Sequence, residues 1–107
     1  MTYDLIIIGG GPAGVSAGVY AARKKLKTLL IAPEFGGQSI VSDGIENWIG
    51  TVKISGNDLA KNLKAHLLAY ATDSVEVKDG EGARDINKTE GAFGVVTDKE
   101  EYESDFT

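Results

Sequence analysis

Six residues near the amino terminus, Gly9-Gly10-Gly11-Pro12-Ala13-Gly14, have the spacing G-x-G-x-x-G, which suits the binding of a diphosphate. The first glycine permits a tight turn, the second lets the backbone approach a phosphate, and the third lets a helix lie close to a sheet. A helix beginning at Pro12 would direct its free N–H groups and the positive end of its dipole at the phosphates. We therefore predict that a nucleotide diphosphate is bound by Gly9, Gly11, Pro12, Ala13 and Gly14.

The elements around this glycine motif are those of a parallel β-α-β unit. Residues 5–8 are a continuous apolar run, typical of a strand that is buried on both faces, and a helical pattern follows from Pro12 to about Lys25. A second apolar run lies around residues 29–31, so residues 3–32 predict a strand, a helix and a parallel strand. The motif alone is a weak signal, but its place between a predicted strand and a predicted helix favours nucleotide binding.

The remaining sequence predicts a long loop, one more helix and several short strands. Residues 33–54 have no clear period, and a loop of this length in a compact domain is usually functional. Residues 55–71 predict a helix with Ser55 as its N-cap. Residues 74–104 predict a strand and an antiparallel meander whose buried members are Phe93, Val95 and Val96.

The composition excludes several classes of protein and several kinds of site. The chain has 107 residues, of which 42% are hydrophobic, as in a globular domain or part of one. Its net charge of −5 would repel a polyanion, so no nucleic-acid partner is expected. The absence of cysteine removes disulfides, thiolate metal sites and thiol catalysis from these residues, and we predict no metal site and no catalytic residue among them. No basic segment precedes the short apolar run, so we expect no membrane partner and a cytoplasmic location.

An acidic residue near the end of the second strand would bind the ribose hydroxyls of a dinucleotide. The usual position falls near Ala32, whose side chain cannot accept a hydrogen bond. Glu34, which comes 20 residues after Gly14, is the predicted substitute. The alternative is that Glu34 is a solvated loop residue and that backbone groups or water bind the ribose.

The long loop carries a resemblance to a known family. Phe35-Gly36-Gly37-Gln38 and Ile45-Glu46-Asn47-Trp48-Ile49-Gly50 are similar to the flavin-contacting segments of low-molecular-weight thioredoxin reductases and their relatives. These relatives include the flavoprotein component of alkyl hydroperoxide reductase and thioredoxin-reductase-type ferredoxin–NADP reductases. With residues 3–14 and 54–56, the resemblance extends over the whole chain. It implies an α/β, Rossmann-like FAD/NAD(P)-binding three-layer fold, with a parallel sheet, a small antiparallel β-meander and FAD as cofactor.

The resemblance also assigns roles to individual residues. Gly37 and Gln38 would lie near the ribityl chain and the isoalloxazine ring, with the Gln38 amide hydrogen-bonded to the flavin. Asn47 would contact the polar edge of the flavin, and backbone groups near Gly82 and Ala83 would meet the adenine. The alternative for Gln38 and Asn47 is that their side chains stabilise the loop. One departure from the family is Ile49, where proline is common.

The function implied by the resemblance is that of an NAD(P)H-dependent flavin oxidoreductase, a homodimer that reduces a disulfide or another acceptor such as a thioredoxin-like protein. In that family an NADPH domain with a Cys-x-x-Cys pair follows the meander. Residues 1–107 are therefore expected to be the N-terminal portion of an FAD-binding domain, without the NADPH domain. Such a fragment would be inactive, would bind FAD weakly and would self-associate through a free strand edge.

Two other functions are open at this point. One is a non-catalytic nucleotide-binding module that a partner completes. The other is the first unit of an NAD-dependent dehydrogenase, which the segments around Gln38 and Asn47 disfavour.

Overall fold

The computed structural model describes residues 2–36, 41–70 and 74–106, which form one mixed sheet of six strands and two helices. The sheet order is β3-β2-β1-β6-β5-β4. The strands β3, β2, β1 and β6 are parallel, whereas β4, β5 and β6 form an antiparallel meander. The predicted fold class, a parallel sheet with an antiparallel meander, is confirmed. The elements are β1 (Thr2–Ile8), α1 (Pro12–Arg23), β2 (Thr28–Ala32), α2 (Gly56–Tyr70), β3 (Val75–Asp79), β4 (Ala83–Thr89), β5 (Ala92–Thr97) and β6 (Glu101–Phe106).

The sheet separates two apolar clusters, one on each of its faces. The first cluster joins α1 and α2 to one face, with Val15, Leu30, Leu59 and Leu67 among its members. The second lies on the other face and includes residues of the meander. It consists of Tyr3, Ile6, Leu29, Ile31, Val95 and Tyr102. Each large apolar side chain buried in this way contributes about 1.5–3 kcal/mol to folding.

The central strand β2 is buried along its whole length, because β1 and β3 flank it and both faces are covered. The prediction of a buried run at residues 5–8 holds for Ile6 and Ile7 but is wrong for Ile8, which is 40% exposed. Ile8 is the last residue of β1, where the strand enters the glycine turn, residues 9–11.

Strand β6 links the meander to the parallel sheet, an arrangement that the sequence did not predict. It pairs antiparallel with β5 and parallel with β1. Within the meander, the prediction of three buried residues is confirmed for Val95, whereas Phe93 and Val96 are half-buried. Thr97 is buried although it is polar, because its hydroxyl finds a partner in Glu81.

Both helices begin as the sequence indicates. The Ser55 hydroxyl accepts a hydrogen bond from the Asp58 amide at 3.1 Å, so Ser55 caps α2 as predicted. The helices meet where Gly18 faces Leu67. A methyl group at Gly18 would lie 2.7 Å from the Leu67 Cδ1 atom, so this small residue allows the close approach. Neither α1 nor α2 is long and apolar enough to cross a bilayer, and these are the helices of the described residues.

Candidate nucleotide-binding site

Two glycines at the junction of β1 and α1, Gly9 in the turn and Gly14 in the helix, are required for different reasons. Gly9 has a φ of +130°, a conformation that residues with a side chain rarely adopt. A methyl group at Gly14 would lie 2.1 Å from the Gly9 carbonyl oxygen, which is far inside van der Waals contact. The Gly9 amide also donates to the Ile31 carbonyl at 2.9 Å, so the turn is fixed to β2. Glycine therefore lets α1 begin directly at the end of the sheet.

The amino terminus of α1 presents amide groups that have no acceptor within the helix. Gly11, the N-cap, is extended and offers no side-chain cap, and Pro12 has no N–H group. The Val15 amide donates to the Gly11 carbonyl at 3.0 Å, which closes the first helical turn. The amides of Ala13 and Gly14 precede it and have no carbonyl one turn back. Because the first turn also lacks an acidic residue, these two amides and the positive end of the dipole suit an anion.

The start of the loop after β2 lies directly against the glycine turn. A methyl group at Gly10 would lie 2.6 Å from the Glu34 carbonyl oxygen and 3.0 Å from the Ala32 Cβ atom. The Gly36 amide donates to the Gly10 carbonyl at 2.8 Å. The G-x-G-x-x-G spacing assigns no task to Gly10, and the structure shows that this residue makes room for the loop. The Glu34 side chain is exposed next to the turn, so its role as the ribose ligand stays a prediction.

A second turn, residues 80–83, reaches the same place from β3. The amides of Gly80 and Glu81 donate to the Ala32 carbonyl at 2.8 and 3.2 Å. Ala83, the predicted adenine contact, begins β4 and is half-buried. The structure thus brings together the predicted diphosphate, ribose and adenine segments around Ala32, at the carboxyl edge of the parallel strands. Ligands of parallel α/β sheets bind at this edge.

Asn47 is the one predicted flavin residue that the structure describes, and no hydrogen bond joins it to this group. Asn47 is exposed in the segment that follows Ile45, whose backbone forms an isolated antiparallel bridge with Ile54. Among the described residues, no hydrogen bond connects Asn47 to the glycine turn. Trp48 is half-buried against the helical cluster, which agrees with a packing role. Gly37 and Gln38 lie outside the described residues.

The strongest pKa shifts belong to Tyr3 and Tyr102, on the face of the sheet opposite the helices. Burial and the neighbouring Glu76 raise the pKa of Tyr3 to about 12, and its hydroxyl donates to the Glu76 carboxylate at 2.6 Å. This bond, together with one from Lys78, lowers the pKa of Glu76. Burial, Glu81 and Glu100 raise the pKa of Tyr102. In the part of the chain that the structure describes, no cluster of three or more His, Cys, Asp or Glu side chains could hold a metal ion.

Comparison with known proteins shows the family to which the chain belongs. A family model described as pyridine nucleotide-disulphide oxidoreductase matches residues 3–106. One protein component of the alkyl hydroperoxide reductase of Staphylococcus aureus is 43% identical over 94 residues, which are 88% of this chain and 18% of that protein. The corresponding protein of Staphylococcus epidermidis is 39% identical over 98 residues, or 92% of this chain and 19% of that protein.

Solved structures agree with the sequence matches. Thioredoxin reductase from T. acidophilum superposes with a TM-score of 0.85 at 32% identity, over 97% of this chain and 33% of that chain. The enzyme from Lactococcus lactis gives a TM-score of 0.87 at 32% identity, over 96% of this chain and 33% of that chain. The chain therefore spans about a third of these structures and about a fifth of the curated relatives. These matches confirm the resemblance to thioredoxin-reductase-like flavoproteins.

Proposed function

Because this chain belongs to the pyridine nucleotide-disulphide oxidoreductase family, we propose that it binds FAD for a flavoprotein that passes reducing equivalents from NAD(P)H to a disulfide or another acceptor. Enzymes of this family bind FAD and use NAD(P)H, so the cofactors expected from the sequence are those of the family. The observation that carries the proposal is the convergence of the glycine turn, Glu34 and the 80–83 turn around Ala32.

The residues at this edge fit the chemistry of a dinucleotide. The Ala13 and Gly14 amides would donate to the diphosphate, with Gly11 allowing the close approach and Pro12 starting the helix in the right direction. The absence of a carboxylate in the first helical turn leaves these donors free of a competing anion. Glu34 would accept hydrogen bonds from the ribose hydroxyls, as a carboxylate can do for both hydroxyls of a diol.

The two ends of the cofactor would be bound by different kinds of group. Backbone groups near Ala83 would meet the adenine, whereas amide groups of Gly37, Gln38 and Asn47 would match the polar edge of the flavin without burying a charge. When bound, FAD supplies a ring that accepts a hydride, which is chemistry that no side chain provides. The chain's own contribution is to hold and orient that ring.

We propose that the acceptor is reduced at residues outside these 107. The chain contains no cysteine, so none of its side chains can exchange with a disulfide, and we propose that the 107 residues alone have no reductase turnover. We place the NAD(P)H site and the acceptor site in the sequence that the longer relatives have in addition. A thioredoxin-like acceptor, a homodimeric assembly and a cytoplasmic location complete the proposal.

Calorimetric titration of the 107-residue chain with FAD, and separately with NADH, tests the proposed function. We expect saturable one-to-one binding of FAD, weaker than in a complete site, and weaker binding of NADH. Absence of saturable FAD binding would overturn the proposal. Binding of NADH in preference to FAD would support the first unit of a dehydrogenase instead.

A further inference from the structure

The 80–83 turn is fixed by side chains as well as by the end of β2. The Gly82 amide donates to the Asp98 Oδ1 atom at 3.2 Å, and the Asp98 amide donates to the Gly82 carbonyl at 3.2 Å. Both main-chain polar groups of Gly82 are therefore paired with one residue of the turn between β5 and β6. This pairing ties two turns that lie 16 residues apart in sequence.

A buried polar pair lies next to this point. Glu81 and Thr97 are 5% and 6% exposed, and the Thr97 hydroxyl lies 2.6 Å from the Glu81 Oε2 atom. The Thr97 oxygen also accepts from the amides of Lys99 and Glu100 at 3.1 and 2.9 Å, and its hydroxyl has a second acceptor, the Glu100 carbonyl, at 3.0 Å. A buried carboxylate without such partners would be strongly destabilising, which means that Glu81 can take few other positions.

One side of the turn remains open. A methyl group at Gly82 would meet a single described atom within 4 Å, the Pro33 Cβ atom at 4.0 Å. Asp98 of the meander thus fixes the 80–83 turn, and the space beside the Gly82 main chain stays open. A planar base could lie against this open main chain only if the turn is rigid, because the groups that recognise a ligand must be fixed to within about 0.5 Å.

We propose that Glu81, Thr97 and Asp98 act as a clasp that positions the 80–83 turn against the adenine of the cofactor. The inference rests on the proposed function, namely that the chain binds FAD. The clasp then determines how much the adenosine half contributes to affinity, and so the preference for FAD over FMN. None of the three residues needs to touch the flavin ring.

The substitution Thr97→Val tests this role, because valine preserves the shape and removes the hydroxyl. The matched control is Thr89→Val, where the hydroxyl bonds to the Ala92 carbonyl at 3.3 Å in the exposed turn between β4 and β5. Dissociation constants for FAD and FMN are measured by calorimetry for each chain. Thr97→Val removes the buried bond to Glu81 and also the bonds from the Lys99 and Glu100 amides. We expect it to weaken FAD binding at least about tenfold and to leave FMN binding unchanged. Thr89→Val should change neither constant.

A second variant keeps the test informative if Thr97→Val fails to fold. Asp98→Ala removes the acceptor of the exposed Gly82 bond and should also lower the preference for FAD over FMN. If the wild-type chain binds FAD and both variants retain its preference, the clasp has no positioning role, although the proposed function stands. Equal weakening of both flavins would also overturn the clasp, since it would indicate general destabilisation. If the wild-type chain does not bind FAD, the proposed function fails and the clasp fails with it.

Discussion

The two turns that meet at Ala32 are held in opposite ways. The glycine turn depends on missing side chains, because a methyl group at Gly10 or Gly14 would collide with main-chain atoms. The 80–83 turn depends on side chains that are present, namely the carboxylates and the hydroxyl that hold Glu81 and Gly82 in place. The glycine turn should therefore not tolerate an added side-chain atom, whereas the 80–83 turn should not tolerate the loss of a polar atom. Substitutions of the same size should have very different effects in the two turns.

The largest effect is expected from Gly14→Ala. The new methyl group would lie 2.1 Å from the Gly9 carbonyl oxygen, so α1 must move away from the turn. We expect the free energy of unfolding to fall by about 3 kcal/mol and FAD binding to be lost. Urea denaturation and FAD titration measure these changes.

Gly94→Ala is the matched control for this substitution in the meander half. Its methyl group would find its nearest atom, Glu101 Oε1, at 3.8 Å, which is ordinary contact. We expect stability and FAD binding close to those of the wild type. Retention of FAD affinity by Gly14→Ala would show that the glycine turn is not the diphosphate site.

Substitutions where α1 packs against α2 test the claim that this part of the fold leaves no space for an added side-chain atom. Leu67→Ala empties a fully buried position and should cost about 3 kcal/mol of unfolding free energy. Gly18→Ala alone should be destabilising, because its methyl group would lie 2.7 Å from Leu67 Cδ1. In the Leu67→Ala background the same change should be less destabilising, because the tighter contact is gone and alanine favours the helix by up to about 1 kcal/mol. Leu30 Cδ1, at 3.3 Å from the new methyl group, must still give slightly. A double-mutant cycle that shows strict additivity would contradict this close contact.

On the face of the sheet opposite the helices, Tyr3 should make the stability of the fold depend on pH. In the folded chain the pKa of Tyr3 is raised to about 12, above its unfolded value of 10.0. The stability that this shift contributes is therefore fully present below pH 10 and is lost as the pH rises to 12. Tyr3→Phe should therefore reduce the loss of stability between pH 10 and 12, with part of the loss remaining because the pKa of Tyr102 is also raised.

Thermal unfolding at pH 8 and pH 11 measures this difference. Tyr20→Phe is the control, since Tyr20 is 66% exposed. An identical alkaline loss in Tyr3→Phe and the wild type would refute the assignment to Tyr3.

The smallest effect is expected at the surface of α2. Lys64 lies 2.5 Å from the Asp79 carboxylate, but both side chains are 42% exposed, so water screens the pair. Lys64→Ala should cost less than about 1 kcal/mol, and the cost should shrink in high salt. Lys61→Ala, on the same helix and exposed, is the control. A loss of several kcal/mol that persists in high salt would contradict this picture.

The sequence predicted the features that depend on residues close together along the chain. The glycine spacing, the apolar run of β2 and the Ser55 cap are local patterns, and the structure has each of them. The pairing of β6 with β1 could not be predicted in this way, because it joins residues about 100 positions apart and leaves no local pattern. Glu81 and Thr97 look like ordinary turn residues in the sequence, and their burial becomes visible when the two turns are brought together.

Nuclear magnetic resonance titration of the ¹⁵N-labelled chain with ADP tests the central claim most directly. ADP carries the diphosphate and the adenine without a flavin, so it probes both turns at once. We expect the amide signals of Ala13 and Gly14 and those of Gly80 to Ala83 to shift together along one saturable binding curve. Saturable shifts confined to other parts of the chain, or no shift at Ala13 and Gly14, would contradict a nucleotide site at this edge of the sheet.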